Sequence, residues 1–333
     1  MELIFLGTSA GVPTRQRNVT GLALQHGRER GWYLIDCGEA SQHRLLRTRL
    51  SLARLQAVFI THVHADHCLG LPGLLASASM EGRKTPLTIA APLAIHQFVE
   101  TALQATDSEL GFELQWLDSE QPGFHWQDKA LAVTTVALSH RVSCRAFVFQ
   151  ERGIERSLLV ERLKADGVPA GPLWGRLQKG EDVALEDGRL LFADDYSPVL
   201  RSPRRLVVAG DNDCPELLAD ACRDAHLLIH EATYTRDVAA RVGPAPGHSC
   251  AGAVAAFAES VGLANLILTH FSSRYQLHPG AGRSIGEIAL EAAGEYRGGL
   301  WLAQDLDRYQ LDKDFRLHCE RRLASGHFRA REA

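Results

Sequence analysis

The stretch Thr61–Gly70, with the sequence THVHADHCLG, indicates both the fold and the chemistry of this chain. Three imidazoles and one carboxylate fall within the six positions from His62 to His67. A lone histidine would more often be a hydrogen-bonded core residue or a surface residue. Burying this whole group without a metal would leave several polar atoms unpaired. Because imidazole and carboxylate are the usual ligands of catalytic zinc, the stretch predicts a metal site.

The residues on either side place this cluster at the end of a strand. The apolar run 56–61 predicts a buried strand, and the small and apolar residues of 69–80 predict a helix. The first two histidines then point the same way, because side chains alternate along a strand. The turn brings Asp66 and His67 to a second position nearby, which suits two adjacent metal ions. The pattern His-x-His-x-Asp-His resembles the signature of the metallo-β-lactamase superfamily of hydrolases.

Length and composition indicate a globular protein. The chain has 333 residues, of which 45% are hydrophobic and 23% charged, and no apolar run reaches the roughly eighteen residues of a membrane span. A strand begins at Glu2, so we expect no signal peptide. Seven scattered cysteines without a Cys-x-x-Cys pair favour a cytoplasmic location. With a net charge of −4, a nucleic-acid partner would need a local basic patch.

Other polar residues also follow predicted strands. Strands are predicted at 2–7, 20–26, 32–35, 56–61, 87–90, 130–138, 205–209, 226–229, 265–268 and 301–304, with helices between many of them. The segment 106–129 is expected to be irregular. Both halves of the chain supply strands, helices and site residues. The sequence therefore predicts one domain over 1–333, an α/β/β/α sandwich with its site at one rim. The resemblance of the histidine pattern implies that this sandwich is of the metallo-β-lactamase type.

Two sets of metal ligands are expected at that rim. The first set is His62, His64 and His140, the second is Asp66, His67 and His270, and Asp211 is the expected bridge. Two ions about 3.5–4 Å apart can clamp a phosphodiester and activate a water molecule. Asp66 is also placed to act as general base on that water.

Three further residues have open alternatives. His248 could act as general acid with Glu231 as its carboxylate partner, or it could be a surface histidine near a helix start. Asp36 could orient a ligand histidine or cap a helix, and a structural role is favoured.

Two segments are candidates for substrate binding. The loop 8–18 combines small residues with Arg17 and Asn18, and it could bind a phosphate or be an ordinary turn. The segment 150–190 interrupts the strand pattern and is too polar for a core. Its part 152–179 holds six basic and three acidic residues, a local excess of +3. The alternative is a solvated insertion.

The chain is similar over roughly residues 1–310 to the ribonuclease Z family, of the short bacterial type. The likeness rests on motifs at 6–13, 17–18, 36–39, 62–73, 139–140, 167–172, 210–211, 230–233, 247–249 and 269–275. It implies two Zn²⁺ ions per subunit, with Mn²⁺ or Co²⁺ as substitutes, a homodimer, and precursor tRNA as substrate. It also implies that the insertion 150–190 is an arm that holds tRNA.

The resemblance suggests substrate contacts as well, and it has limits. The suggested contacts are Arg17, Asn18, Ser272, Arg274, Gly171 and Pro172. Ala65 and Asn212 stand where the family usually has Gly and Thr. The last stretch, 313–333, extends beyond the resemblance and is expected to be a mobile tail or a helix.

The functional hypothesis is a zinc-dependent endoribonuclease that removes 3′ trailers from tRNA precursors and leaves a 3′-hydroxyl on the tRNA. One alternative is a small-molecule zinc phosphodiesterase or related hydrolase on the same fold. Such substrates need no arm, so the insertion disfavours it. A second alternative is an RNA-binding protein without turnover, which the complete set of ligands and proton-transfer residues disfavours.

Overall fold

A computed structural model describes residues 1–27, 31–277 and 282–320. Two large sheets face each other. The first has eight strands, in spatial order Leu317–Glu320, Arg308–Leu311, Glu2–Gly7, Gly21–Gln25, Trp32–Cys37, Leu55–Phe59, Leu87–Ala91 and Leu114–Asp118. The second has seven, in the order Gly299–Leu302, Asn265–Thr269, Leu227–Glu231, Arg205–Val208, Cys144–Glu151, Leu131–Leu138 and His125–Gln127. Short two-residue strands pair Ser9–Ala10 with Phe271–Ser272, Tyr275–Gln276 with Arg283–Ser284, and Val183–Ala184 with Leu190–Leu191.

Helices cover the outer faces of both sheets. Those of the first half are Ser41–Leu45, Ala65–Cys68, Leu71–Met80 and Leu93–Ala105, with a 3₁₀ turn at Leu52–Arg54. Those of the second half are Ala219–Cys222, Arg236–Val242, Ala251–Ser260 and Ile285–Glu295, with a 3₁₀ turn at Pro215–Leu218. Between the sheets lies an aromatic core, in which the ring centre of Phe59 is 5.2 Å from that of Phe147 and 5.3 Å from that of Phe149. The predicted α/β/β/α sandwich is confirmed.

The strand predictions were incomplete in the middle of the chain. The stretch 106–129, expected to be irregular, contains the strands Leu114–Asp118 and His125–Gln127. Neither contains a fully buried residue, and His125–Gln127 has only three residues, too few for a periodic signal. The apolar run Cys144–Glu151 forms an eight-residue strand whose partner strands lie on both sides.

The insertion begins and ends later than expected. Residues 150 and 151 belong to the sheet, and the chain returns to the sheet at Arg205. We call residues 152–204 the arm. It contains three helices, Val160–Ala165, Pro172–Gln178 and Ala193–Tyr196, and one two-stranded sheet. A small apolar cluster of its own, including Leu163, Leu177 and Leu191, holds it together.

The expected boundary of a C-terminal tail at 313 is wrong. Leu317–Glu320 forms an edge strand that pairs antiparallel with Arg308–Leu311. The rest of the predicted tail, 321–333, lies outside the described residues. Among the helices that the structure describes, none has the length and apolar character that crossing a membrane requires.

Candidate metal centre and active site

All seven predicted metal ligands lie at one rim of the sandwich, where strands of both sheets end. His62 and His64 follow the strand Leu55–Phe59, and Asp66 and His67 lie in the helical turn Ala65–Cys68. The other three ligands, His140, Asp211 and His270, follow strands of the second sheet. Loops at the carboxyl ends of neighbouring strands meet at one edge, which explains how distant residues converge. Ala65 starts the helical turn, so alanine fits where the family usually has glycine.

Three imidazoles form the first group. His64 Nδ1 lies 3.0 Å from His62 Nε2 and 3.1 Å from His140 Nε2. One oxygen of Asp211, Oδ2, lies 3.6 Å from His62 Nε2 and 3.7 Å from His140 Nε2. Four ligand atoms therefore converge on one point.

The second group combines a carboxylate with two imidazoles. His67 Nε2 lies 3.3 Å from His270 Nε2, and Asp66 Oδ2 lies 3.2 Å from the same atom of His270. The second oxygen of Asp211, Oδ1, lies 3.5 Å from His67 Nε2 and 3.4 Å from His270 Nε2. Asp211 thus presents one oxygen to each group, as a bridging ligand does.

Four of the imidazoles are held through their other nitrogen. Their Nδ1 atoms lie against Thr61 Oγ1 (3.0 Å from His62), Asp36 Oδ2 (2.7 Å from His67), the Gly247 carbonyl (2.7 Å from His140) and Thr233 Oγ1 (3.0 Å from His270). A carboxylate and a carbonyl only accept, so Nδ1 of His67 and His140 carries the proton. Their Nε2 atoms face the centre, where a metal ion would be coordinated.

The structural role that was favoured for Asp36 is corrected by its contacts. It does not cap the following helix, whose N-cap position is Ala40. Its carboxylate accepts hydrogen bonds from His67 and from both the backbone and the hydroxyl of Thr61. Asp36 therefore orients a candidate ligand, and it does so from a left-handed backbone conformation with φ of 56°.

The donor atoms fit a metal ion. Ligand atoms 2.0–2.1 Å from a tetrahedral zinc ion lie roughly 3.3 Å from one another, close to the separations above. Burial and then the neighbouring imidazoles hold the pKa of His62 well below its ordinary value, and burial also lowers that of His64. Both rings are therefore neutral, the form that coordinates a metal. The rim is a metal-binding site.

A buried carboxylate and a histidine lie beside the two groups. Glu231 Oε1 lies 3.0 Å from His248 Nδ1 and accepts the backbone N–H groups of Asn212 and Ser249, each at 3.1 Å. Burial would lower the pKa of His248, but the charge of Glu231 raises it above its ordinary value. The imidazolium is therefore available as a proton donor, with Nε2 free of Glu231.

Two neighbours of Glu231 were not predicted as site residues. The hydroxyl of Thr233 donates to Glu231 Oε2 at 2.5 Å and lies 3.0 Å from His270 Nδ1, so it joins the carboxylate to a candidate ligand. The Asn212 side chain accepts from the backbone of Ser139 and donates to His230 Nε2. Asn212 thus connects the segments that carry His140, Asp211 and Glu231, and this link depends on its amide group.

The loop 8–18 borders the second group, but Arg17 does not face it. The Gly11 N–H donates to Asp66 Oδ2 at 2.7 Å. Arg17 is buried, donates to the Tyr275 carbonyl at 2.7 Å and lies over the Phe271 ring, so the expected phosphate contact is corrected to a structural one. The Asn18 side chain donates to the Glu39 carbonyl.

The remaining predicted contacts are spread over the molecule. Ser272 is buried and accepts a hydrogen bond from Arg274 at 3.0 Å. Arg274 is exposed, with its guanidinium 5.9 Å from the centre of the Tyr234 ring, which in turn lies 6.0 Å from the His248 ring centre. Gly171 and Pro172 are exposed in the arm, away from the rim.

Comparison with known proteins agrees with this architecture. The family model described as "Anti-Pycsar protein Apyc1" matches residues 1–152. Ribonuclease Z of Marinobacter nauticus is 58% identical over 318 residues, covering 96% of this chain and 98% of that protein. The crystal structure of human tRNase Z, short form, has a TM-score of 0.61 at 24% identity, covering 92% and 98% of the two chains. The metallo-β-lactamase fold protein YhfI of Bacillus subtilis has a TM-score of 0.62 at 19% identity, with the same coverage. This chain belongs to the ribonuclease Z family.

Proposed function

We propose that this chain is an endoribonuclease that removes the 3′ trailer from precursor tRNA and leaves a 3′-hydroxyl on the tRNA. The observation that carries the proposal is the rim itself, where two ligand groups share Asp211 and adjoin the Glu231–His248 pair. We infer a cytoplasmic reaction from the scattered cysteines of the sequence and from the substrate.

Two bound zinc ions would lower the pKa of a water molecule and neutralise charge on the phosphoryl oxygens. Asp66, held by the Gly11 N–H, accepts a proton as the water oxygen bonds to phosphorus. The bond from phosphorus to the departing 3′-oxygen breaks, and His248 donates a proton from Nε2 to that oxygen. Glu231 keeps the ring oriented and protonated until then.

The arm supports an RNA substrate. Most of its cations pair with acids on its own surface, as Arg176 does with Glu181 and Lys164 with Glu161. Exposed pairs of this kind contribute little, so their cations are free to exchange the acid for an RNA phosphate. The small-molecule phosphodiesterase stays the second candidate, although the arm has no role in it.

The place where the arm leaves the body supports a homodimer. The strand Cys144–Glu151 starts at the metal rim and ends at the arm, so arm and site lie at opposite ends of strands roughly 26 Å long. We infer that a two-fold symmetric partner brings the arm of one copy beside the site of the other. Sedimentation of the purified protein tests the assembly.

The decisive experiment uses 5′-labelled precursor tRNA and bis(p-nitrophenyl) phosphate in parallel, with the bound metals counted. We expect wild type to make one cut at the tRNA 3′ end and to hydrolyse the diester. Asp66→Ala should lose both activities, and a chain in which a short turn replaces the arm should lose only the cleavage of precursor tRNA. Hydrolysis of the diester with intact precursor tRNA would overturn the tRNA assignment in favour of the second candidate.

A further inference from the structure

A buried carboxylate sits where the arm joins the body. Glu151 is the last residue of its strand, immediately before the arm, and is 5% exposed. It lies at the opposite end of that strand from the metal rim. Neither Asp66 nor the Glu231–His248 pair contacts it, so the proposed chemistry leaves it without a role.

Six hydrogen bonds converge on the two Glu151 oxygens. Arg204 donates its backbone N–H and two guanidinium N–H groups at 2.6–3.1 Å, and Arg201 donates two at 2.6 and 2.7 Å. His26 Nε2 lies 2.9 Å away. Both arginines lie where the arm returns, so one carboxylate holds the outgoing and the returning chain together. Bidentate pairs of this kind fix direction as well as distance.

The same residues tie the arm to the first sheet. Arg204 Nη1 donates to the Leu311 carbonyl at 2.8 Å. Beyond the carboxylate the two limbs of the arm run antiparallel, with Leu200 N–H donating to the Glu155 carbonyl and Ser157 N–H to the Pro198 carbonyl, each at 3.0 Å. The arm therefore leaves the body as a short two-stranded stalk, formed by residues 155–157 and 198–200.

Apolar packing does not set the direction of this stalk. The apolar cluster of the arm is separate from the three clusters of the body. A cavity of about 960 Å³ lies beside the stalk, lined by Ile154, Glu155 and Leu200 of the arm and by Gln310 and Lys313 of the body. With open space on that side, the polar cluster around Glu151, together with hydrogen bonds from Arg152 to the carbonyls of Ala130 and Asp128, holds the base of the arm.

We propose that Glu151 is a positioning residue for RNA: with Arg201 and Arg204 it fixes the direction of the arm and so determines how well a large RNA is used relative to a small diester. This inference rests on the proposed function, in which the arm holds tRNA. A flexible arm loses orientational entropy when it binds RNA, whereas an arm with a fixed direction has lost that entropy already. The cluster therefore reduces the entropic free-energy penalty of RNA binding.

The test compares Glu151→Gln and Arg201→Ala with wild type on precursor tRNA and on bis(p-nitrophenyl) phosphate. We expect KM for precursor tRNA to rise about tenfold or more, with diester hydrolysis unchanged within about twofold. Arg201→Ala keeps the Glu151–Arg204 pair, so it covers the case in which Glu151→Gln fails to fold. Glu155→Gln, which removes an exposed pair with Lys313 at 3.7 Å in the same region, is the matched control.

Hydrogen exchange supplies a readout apart from activity. In both variants the stalk amides of Ser157 and Leu200 should exchange faster, while amides of the central strands stay protected. Equal losses on both substrates would mean that the cluster only stabilises the fold, and would overturn the inference. A wild-type KM for precursor tRNA in both variants would overturn it too, provided that the chain lacking the arm cuts precursor tRNA poorly. If that chain cuts precursor tRNA normally, the proposed role of the arm fails instead.

Discussion

His140 Nδ1 donates a hydrogen bond to the carbonyl of Gly247 at 2.7 Å, and Gly247 immediately precedes His248. One short segment therefore holds a candidate metal ligand in its coordinating form and also carries the candidate proton donor. A displacement of this segment would disturb both groups together.

Gly247→Ala should impair metal binding and catalysis at once. Gly247 has φ of 68°, and an added Cβ would lie 3.0 Å from His140 Nδ1. We expect a loss of bound metal and at least about a hundredfold lower activity on both substrates, because small displacements at a reacting centre have large effects. Gly243→Ala is the control, since Gly243 has φ of 80° but open space around it. Equal effects of the two variants would assign the loss to backbone strain alone.

His248→Ala should discriminate between leaving groups. A departing ribose 3′-oxygen needs a proton, whereas nitrophenolate leaves as a stable anion. We expect precursor tRNA cleavage to fall about 10²–10⁴-fold and diester hydrolysis by much less, with metal content retained. His96→Ala, which removes a partly exposed imidazole paired with Glu100, should change neither. Equal losses on the two substrates would argue against an acid role.

Asp36→Asn should weaken metal binding at the second group. Asparagine tolerates the left-handed backbone of this position but lacks the charge that orients His67. Loss of such a partner typically lowers metal affinity about 10–100-fold. Titration with a chelator should release metal earlier than from wild type or from Asp118→Asn, an exposed control. An unchanged release curve would contradict the orienting role.

The predictable part of the site was the part encoded in short spacings. His62, His64, Asp66 and His67 lie within six positions, and the other ligands each follow an apolar strand, so period and position along the chain sufficed. The sheets followed from the same apolar runs. The short edge strand His125–Gln127 was missed because it has only three residues and a single apolar side chain, that of Trp126, which is too little for a periodic signal.

The unpredicted part depends on partners that are distant in the sequence. Arg17 finds the Tyr275 carbonyl 258 positions away, and in a loop of small residues the same arginine could equally have faced solvent. Glu151 looked like the polar start of an insertion because its arginines lie 50 and 53 positions downstream. Residue type and spacing carry no signal for such contacts.

Substitution of Arg274 should affect RNA binding, whereas substitution of Arg17 should affect the stability of the fold. Arg274 is exposed beside the Tyr234 ring, which adjoins that of His248, so Arg274→Ala should raise KM for precursor tRNA and reduce its dependence on salt. Arg17→Ala should instead lower the melting temperature, because it leaves the buried Tyr275 carbonyl without its donor. A salt-dependent KM effect with unchanged stability in Arg17→Ala would restore the phosphate contact.

Glu151 should also make stability depend on pH. Burial would raise its pKa, but hydrogen bonds from His26, Arg204 and Arg201 hold that pKa well below its ordinary value of 4.5. A carboxyl with a lowered pKa stabilises the fold above its unfolded-state pKa and loses that contribution as pH falls. We expect Glu151→Gln to be about 3 kcal/mol less stable at neutral pH. The difference from wild type should shrink below about pH 4.5 in denaturant titrations. A difference that stays constant down to pH 3 would contradict this.

The arm enters and leaves through two strands that are direct neighbours in the sheet, with Gln150 opposite Arg205. A tight hairpin could join the same two ends, so the sandwich places little constraint on the length or identity of what lies between them. Replacing this segment would alter which molecules are held near the metal rim while leaving the rim itself in place. For protein engineering, the same junction is a natural place to graft a foreign recognition module.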